Sequence, residues 1–212
     1  MTFVKRWVNF KKRMVPILYS YRRCPYAMRA RMALKLADIP VEIREISLRD
    51  KPAHMLQISP KGTVPVLLLG DETVIEQSLE IMIWALKVHA MKASIDETSI
   101  ALIVDNDSSF KKALDAYKYP ERNPNQSQIQ HRAEGEIFLN RLELMLSLHA
   151  NLLSEEAGLA DLAIFPFVRQ FAAVDDIWWQ TQPYPKLYAW LLVWVESALF
   201  KSIMTKNPTF VG

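Results

Sequence analysis

Strand-length apolar runs alternate with helix-spaced patterns over roughly the first 90 residues of this 212-residue chain, and strand signals nearly vanish beyond Lys92. That change of period divides the sequence into a mixed α/β part and an all-helical part. Pro16-Ile17-Leu18-Tyr19-Ser20 reads as a short strand, and Tyr26 to Ala37 as a helix with Met28, Met32, Ala33 and Leu36 on one stripe. Asp38-Ile39-Pro40 ends it. Val41, Ile43 and Ile46 mark a second strand, and Lys51-Pro52 to Ile58 supplies one or two helical turns. Val66 to Leu69 is a third strand, and Gly70-Asp71-Glu72 turns the chain into Thr73-Val74-Ile75. A helix then runs from Gln77 or Ser78 to about His89. The predicted order is βαβ-α-ββα.

The second half reads as helices separated by polar breaks. Thr98 to Tyr117 forms one, with Val104-Asp105-Asn106-Asp107-Ser108-Ser109 as a candidate interruption, and Tyr119 to Gln128 forms a loop. Gln130 to Leu153, Ala160 to Phe171 and Tyr184 to Phe200 follow as helices. The fold class is therefore α/β plus all-α. Its divisions are a basic N-terminal extension at 1–14, an α/β domain at 15–91 and a helical bundle domain at 92–212.

Half the residues are hydrophobic, 23% are charged and only 5 are glycine, a helix-rich globular composition. Charges interrupt the apolar residues of the first 15 positions, which argues against a secretory signal, and no stretch has the length of a membrane span. Ten lysines and arginines precede Asp38, the first acidic residue, so an anionic ligand suits this end of the chain. Nucleic acid is an unlikely partner, because no nucleic-acid-binding motif accompanies the charge.

Cys24 is the single cysteine, which excludes an intramolecular disulfide framework and points to a reducing compartment, the cytoplasm. It stands between the first strand and the first helix, followed by Pro25, a residue well suited to the first helical position. A helix N-terminus favours a thiolate through its unpaired N–H groups and dipole, and Arg22 and Arg23 stand next to it. The expectation is a depressed thiol pKa and a nucleophile. A lone cysteine is more often a small buried hydrophobe, but the strand, Cys-Pro and helix context favours reactivity.

Two further stretches carry chemistry. In Ser59-Pro60-Lys61-Gly62-Thr63-Val64-Pro65-Val66, a proline opens an apolar strand where a ladder N–H would be wanted. A cis Val64–Pro65 bond would turn the Val64 backbone toward an extended peptide, and an ordinary strand-entry proline fits the sequence as well. Glu76-Gln77-Ser78 at a helix start offers a hydroxyl, an amide and unpaired N–H groups to a carboxylate, although a serine there is also a common N-cap.

With Cys24-Pro25-Tyr26-Ala27, Val64-Pro65-Val66-Leu67, Gln77-Ser78 and Gly158-Leu159-Ala160-Asp161-Leu162-Ala163 in that order, the chain resembles the glutathione transferases, specifically their cysteine-type, omega-like bacterial branch. The resemblance covers roughly residues 15 to 205 and implies that the α/β domain is thioredoxin-like and binds glutathione. It implies Cys24 facing the glutathione sulfur, Val64 pairing with the cysteinyl part, Pro65 in cis, and Gln77 and Ser78 holding the γ-glutamyl end. Lys51 occupies a position similar to the lysine that approaches the glycine carboxylate, and a solvent-exposed lysine is an equal reading of it. The chain departs from the pattern twice: Gln77 replaces an acidic residue, leaving Glu76 or a partner subunit to meet the γ-glutamyl amine, and Gly158 replaces a capping serine or threonine.

A cysteine nucleophile implies an enzyme of thiol transfer: attack on a glutathione mixed disulfide or thioether, then release by a second glutathione. Ala27 stands where a dithiol glutaredoxin has its resolving cysteine, so external glutathione must close the cycle. Deglutathionylation, dehydroascorbate-type reduction and removal of glutathione from an adduct all fit. Glutathione is the cosubstrate, no metal is expected, and the resemblance implies a homodimer. One alternative is conjugation of glutathione to electrophiles, with Tyr19, Ser20 or Tyr21 as the activating hydroxyl. Another is a non-enzymatic interaction module similar to the stringent starvation proteins. Trp178, Trp179, Phe167, Phe171 and Tyr117 could line an acceptor pocket but more often belong to a core.

Overall fold

The computed structural model describes residues 15–88 and 95–212; the basic extension at 1–14, His89 and the expected domain boundary at 91 and 92 lie outside the described residues. The first strand is β1 (Ile17–Ser20), followed by helix α1 (Pro25–Leu36), β2 (Glu42–Glu45), the short helix α2 (Ala53–Ile58), β3 (Val66–Leu68), β4 (Val74–Ile75) and α3 (Ser78–Val88). The sheet order is β2-β1-β3-β4. Strand β1 pairs parallel with β2 and antiparallel with β3, with Leu18 opposite Ile43 on one side and Leu67 on the other. The βαβ-α-ββα order is as the sequence predicts, because each short strand is bounded by a turn-forming cluster and each helix begins where the period changes.

The alternation of β1 decides what lies on each face of the sheet. Leu18 joins the main core with Leu67 and the stripes of α1 and α3, whereas Tyr19 packs on the other face with Ile46, Met55 of α2 and Val66. α1 lies against the sheet, α3 and the helical region together.

That helical region comprises α4 (Glu97–Asp105), α5 (Lys111–Lys118), α6 (Gln128–Leu146), α7 (Leu159–Ala172), α8 (Asp176–Gln180), α9 (Pro185–Glu196) and α10 (Ala198–Ile203). The candidate interruption at 104–109 does not break the chain direction. It is a π-helical turn, Asn106–Phe110, that joins α4 to α5 and shifts their register by one residue.

Three sequence expectations are corrected. α6 ends at Leu146 rather than Leu153, because the Leu152 N–H turns instead to the carboxylate of Asp161 at 3.0 Å. The helix expected from Tyr184 to Phe200 is two: Ser197 has extended backbone (ψ 142°), and its Oγ accepts the Phe200 N–H as the cap of α10. The loop expected at Tyr119 to Gln128 contains a single 3₁₀ turn, Pro120–Arg122, and ends one residue early at a capping box of Ser127 and Gln130. Helix α8 and the C-terminal tail were not foreseen; Thr209 bridges Glu45 at the β2 edge, and Phe210 donates its N–H to the Glu45 carbonyl at 2.7 Å.

α7 runs through the centre of the helical core, with Phe165, Phe167, Val168 and Phe171 fully buried. Its N-terminus is tied by Asp161, whose carboxylate accepts from Gly158 N, Leu152 N and Trp190 Nε1 at 3.0, 3.0 and 2.9 Å. Asp161 thus makes the half of a capping box that does not need a side chain at Gly158.

Candidate active site

A tight turn carries the chain from β1 into α1, with Cys24 N donating to Tyr21 O at 3.0 Å. Cys24 is the N-cap of α1 in extended conformation (φ −76°, ψ 123°), and Pro25 begins the helix. Its side chain is half-buried, and Sγ donates to the Val64 carbonyl at 3.8 Å. The expected depression of its pKa is not found. Burial pushes the Cys24 thiol up, while the N–H groups of Ala27 and Tyr26 and the charges of Arg31 and Lys111 pull it back. The helix terminus acts in the expected direction, but desolvation of the thiolate outweighs it.

The cations that act on Cys24 also differ from expectation. Arg22 is held by its backbone N–H to Glu45 Oε1 at 2.7 Å, and the Arg23 guanidinium donates to Tyr21 Oη at the surface. Arg31, two turns into α1 and 3% exposed, reaches back under the turn to Ser20 Oγ, Tyr21 O and Arg22 O. Burial brings its pKa down to about 10. Lys111, the first residue of α5, approaches from the helical side, its Nζ 6.0 Å from the centre of the Tyr26 ring.

Beside this thiol lies a cavity of about 530 Å³, lined by Thr63, Val64 and Pro65, by Glu76 to Glu80, by Tyr26 and Arg29 of α1, and by Asp107 of the π-helical turn. Of the residues singled out in the sequence, the fold gathers Val64, Pro65, Gln77 and Ser78 on its wall and places Cys24 just outside, in contact through Val64. The Val64–Pro65 bond is cis. Lys51 does not line the cavity; its Nζ lies against Gly62, 3.4 Å from where a Cβ would stand. Gly62 has φ +62°, so glycine is what lets the chain turn there toward Val64.

Gln77, rather than Ser78, takes the capping position: its carbonyl accepts the Ile81 N–H, and Ser78 is the first helical residue. The buried Ser78 Oγ accepts from Arg29 Nε at 2.9 Å. Arg29, 2% exposed, also donates to both Asp107 oxygens, at 2.8 and 2.6 Å, and packs over the rings of Tyr26 and Phe167. Glu76 accepts from Ser59 Oγ through its carboxylate and from Lys61 Nζ through its carbonyl.

Sequence reasoning missed Arg29, Arg31, Asp107 and Lys111. The signals were two arginines within one turn of each other on a helix that has no acid of its own, and an aspartate in the flagged interruption. The aromatic candidates are core: Phe167, Phe171, Tyr117 and Trp179 are buried, and Trp178 is half-buried against Tyr117 and Phe171. Among the described residues no group of three or more His, Cys, Asp or Glu side chains is placed to hold a metal ion, and no helix is long and apolar enough to cross a membrane.

Residues 18–93 match the family model of the glutathione S-transferase N-terminal domain. The chain thus carries a glutathione S-transferase N-terminal domain over that stretch. Its first domain is omega-like: it is 40% identical over 62 residues to human glutathione S-transferase omega-2, a match that covers 29% of this chain and 26% of the human protein. The match thus spans about a quarter of that relative's length. Among solved structures, a glutathione transferase family member from Pseudomonas fluorescens with two glutathione bound superposes with a TM-score of 0.77 at 15% identity, covering 89% of this chain and 92% of that one. Glutathione transferase Omega 3C from Trametes versicolor gives 0.74 at 18% identity, covering 92% and 91%. These likenesses show the fold across both the thioredoxin-like part and the helices.

Proposed function

We propose that this protein is a glutathione-dependent thiol transferase whose nucleophile is Cys24, with a thioredoxin-like domain at 15–91, a helical domain at 92–212 and a cytoplasmic, homodimeric habit. The observation that carries the reading is the Cys24 Sγ held 3.8 Å from the Val64 carbonyl, at the rim of a cavity whose far wall is the N-terminus of α3. A glutathione laid along that wall would pair its cysteinyl amide with the Val64 backbone and set its γ-glutamyl carboxylate at the Ser78 N–H and hydroxyl. Lys51, beside the Gly62 turn and outside the cavity wall, would be the residue to meet the glycine carboxylate.

The γ-glutamyl ammonium then needs a carboxylate. Gln77 supplies none, and the Glu76 carboxylate is engaged by Ser59. Asp107 and the exposed Glu80 also line the cavity; the reading assigns the ammonium to Asp107, which is part-exposed and would share its carboxylate with Arg29 across the domain junction.

In the reaction, the Cys24 thiolate attacks the glutathionyl sulfur of a mixed disulfide GS–SR. The old S–S bond breaks, RS⁻ leaves and is protonated by solvent, and glutathione remains bonded to Cys24. A second glutathione, as thiolate, attacks that bond and releases glutathione disulfide and the Cys24 thiolate. The sum is GS–SR + GSH → GSSG + RSH, with glutathione as the two-electron reductant. Dehydroascorbate-type reduction and removal of glutathione from an adduct would use the same thiol.

Conjugation to electrophiles is the weaker reading. It needs a free hydroxyl at the glutathione sulfur, whereas Tyr19 Oη is bonded to His54 and Arg44, Ser20 Oγ accepts from Arg31, and Tyr21 Oη accepts from Arg23. The test is incubation with glutathione disulfide followed by intact-mass analysis. One glutathionyl adduct, on Cys24 and removed by glutathione, is expected; its absence from wild type, or its equal presence in Cys24→Ala, overturns the assignment. Retention on immobilised glutathione separates an enzyme from an interaction module of the same fold.

A further inference from the structure

Lys111 of the helical side lies over Tyr26, close to the turn that carries Cys24. It opens α5 directly after the π-helical turn, its side chain is 20% exposed, and its ammonium lies 6.0 Å from the ring of Tyr26, two residues beyond Cys24. An ion pair with Asp115 ties it down at i, i+4, with the aspartate the more exposed member at 49%. The ammonium end of the pair lies toward Tyr26, which lines the cavity, and the carboxylate end is the more exposed. Of the other cations near the thiol, Arg31 is buried beneath the turn, Arg29 is paired with Asp107, and Arg23 donates to Tyr21 Oη at the surface.

We infer that Lys111 selects the second substrate by charge, favouring acceptors whose leaving group is anionic next to the sulfur. The inference rests on the thiol-transfer reading above. With glutathione in the cavity and its sulfur bonded to Cys24, the inference places the departing RS⁻ on the side away from Val64, near Tyr26 and α5. There Lys111, held by Asp115 on its own helix, is a cation brought from the helical side. It stabilises the developing thiolate and, more selectively, a carboxylate carried by R. No atom of Lys111 is consumed; the S–S bond broken and the proton taken from solvent are those of the transfer step itself.

The experiment uses three mixed disulfides of glutathione, with mercaptoacetate, 2-mercaptoethanol and cysteamine, which give R a negative, zero and positive charge. Each kcat/KM is divided by the rate of the same disulfide with free cysteine, which removes intrinsic leaving-group differences. The expected normalised order is negative, then neutral, then positive, with steps of roughly three- to tenfold for a half-screened charge. Lys111→Gln should flatten the series, Lys111→Glu should invert it, and Asp115→Asn should steepen it. Transfer by wild type with no charge preference, or a preference unchanged in Lys111→Gln, overturns this inference and leaves the thiol-transfer reading standing. No transfer from any of the three overturns both.

Discussion

Arg29 of α1 and Asp107 of the π-helical turn form a two-pronged ion pair, 2.8 and 2.6 Å, that joins the sheet side of the molecule to the helical side directly behind Ser78. Arg29 is 2% exposed and Asp107 28%, so the pair is desolvated on one side only. Removing the negative charge alone would leave a buried guanidinium without its counter-ion. Asp107→Asn should therefore cost about 2–4 kcal/mol in urea unfolding, and the double variant Arg29→Met/Asp107→Asn should recover much of that loss. A double variant as unstable as the single would show that the pair is not what is being measured. In binding, Asp107→Asn should weaken glutathione roughly tenfold if it meets the γ-glutamyl ammonium, an interaction of about 1.4 kcal/mol.

The Cys24 thiol gives the clearest pH signature. Burial raises its pKa, so alkylation by iodoacetamide should increase with pH through a midpoint above that of free cysteine, about 8.5. Arg31 favours the thiolate, hence Arg31→Met should move the midpoint further up and Arg31→Lys should restore most of it. The linkage sign follows. A folded-state pKa above the unfolded one means that stability contributed by the neutral thiol is complete below the unfolded pKa and is lost as pH rises through the folded one. Cys24→Ala should remove that part of the alkaline slope in thermal unfolding. A wild-type midpoint below 8 on the alkylation curve would contradict the picture of a desolvated thiol.

Gly135 in α6 tests how tightly the helical core is closed. A Cβ there would stand 2.3 Å from Cε2 of Phe171, a ring that is fully buried and stacked with Phe110. Alanine gains about 1 kcal/mol of helix propensity over glycine, but overpacking costs typically about 1–3 kcal/mol, and a ring with no free volume cannot yield cheaply. Gly135→Ala should lower Tm, and Gly135→Ala/Phe171→Leu should recover more than either single change predicts. An unchanged Tm for Gly135→Ala would mean that α6 and α7 can slide apart without loss.

Which of these features could be read in the sequence depends on range. The strands and α1 to α3 were legible because local period, turn chemistry and Pro25 all agree. The Val64, Pro65, Gln77 and Ser78 wall was legible because each residue sits at a strand or helix start, where backbone groups are free. Arg29 and Arg31 were not, because helical spacing puts them beside an apolar stripe without saying that Asp107 and the Tyr21–Arg22 carbonyls would arrive to receive them. The sign of the Cys24 shift was also out of reach. A helix terminus is local and visible, whereas the burial that outweighs it depends on tertiary packing such as the Val64 turn, 40 residues away. α6 stops early for the same reason: its pattern continues, but Asp161 captures the next backbone.

Asp161 supplies the last test, since its carboxylate makes the half of the capping box that Gly158 leaves intact. It accepts Gly158 N–H, Leu152 N–H and Trp190 Nε1–H while 1% exposed, and burial raises its pKa against those donors. Asp161→Ala would strand all three, at about 1–3 kcal/mol for each buried donor left unpaired, so the helical region should lose most of its stability. Gly158→Ser bears on the other half of the cap. Its backbone is in an ordinary extended region (φ −118°), and an added Cβ meets nothing closer than Asp161 Oδ2 at 3.9 Å. A serine hydroxyl could then accept an orphan N–H of the first turn of α7, stabilising the protein by a few tenths of a kcal/mol, roughly the measured difference between glycine and serine caps. A stabilisation that persists in Gly158→Ala would have to come from reduced backbone freedom in the unfolded chain, and the cap would then contribute nothing.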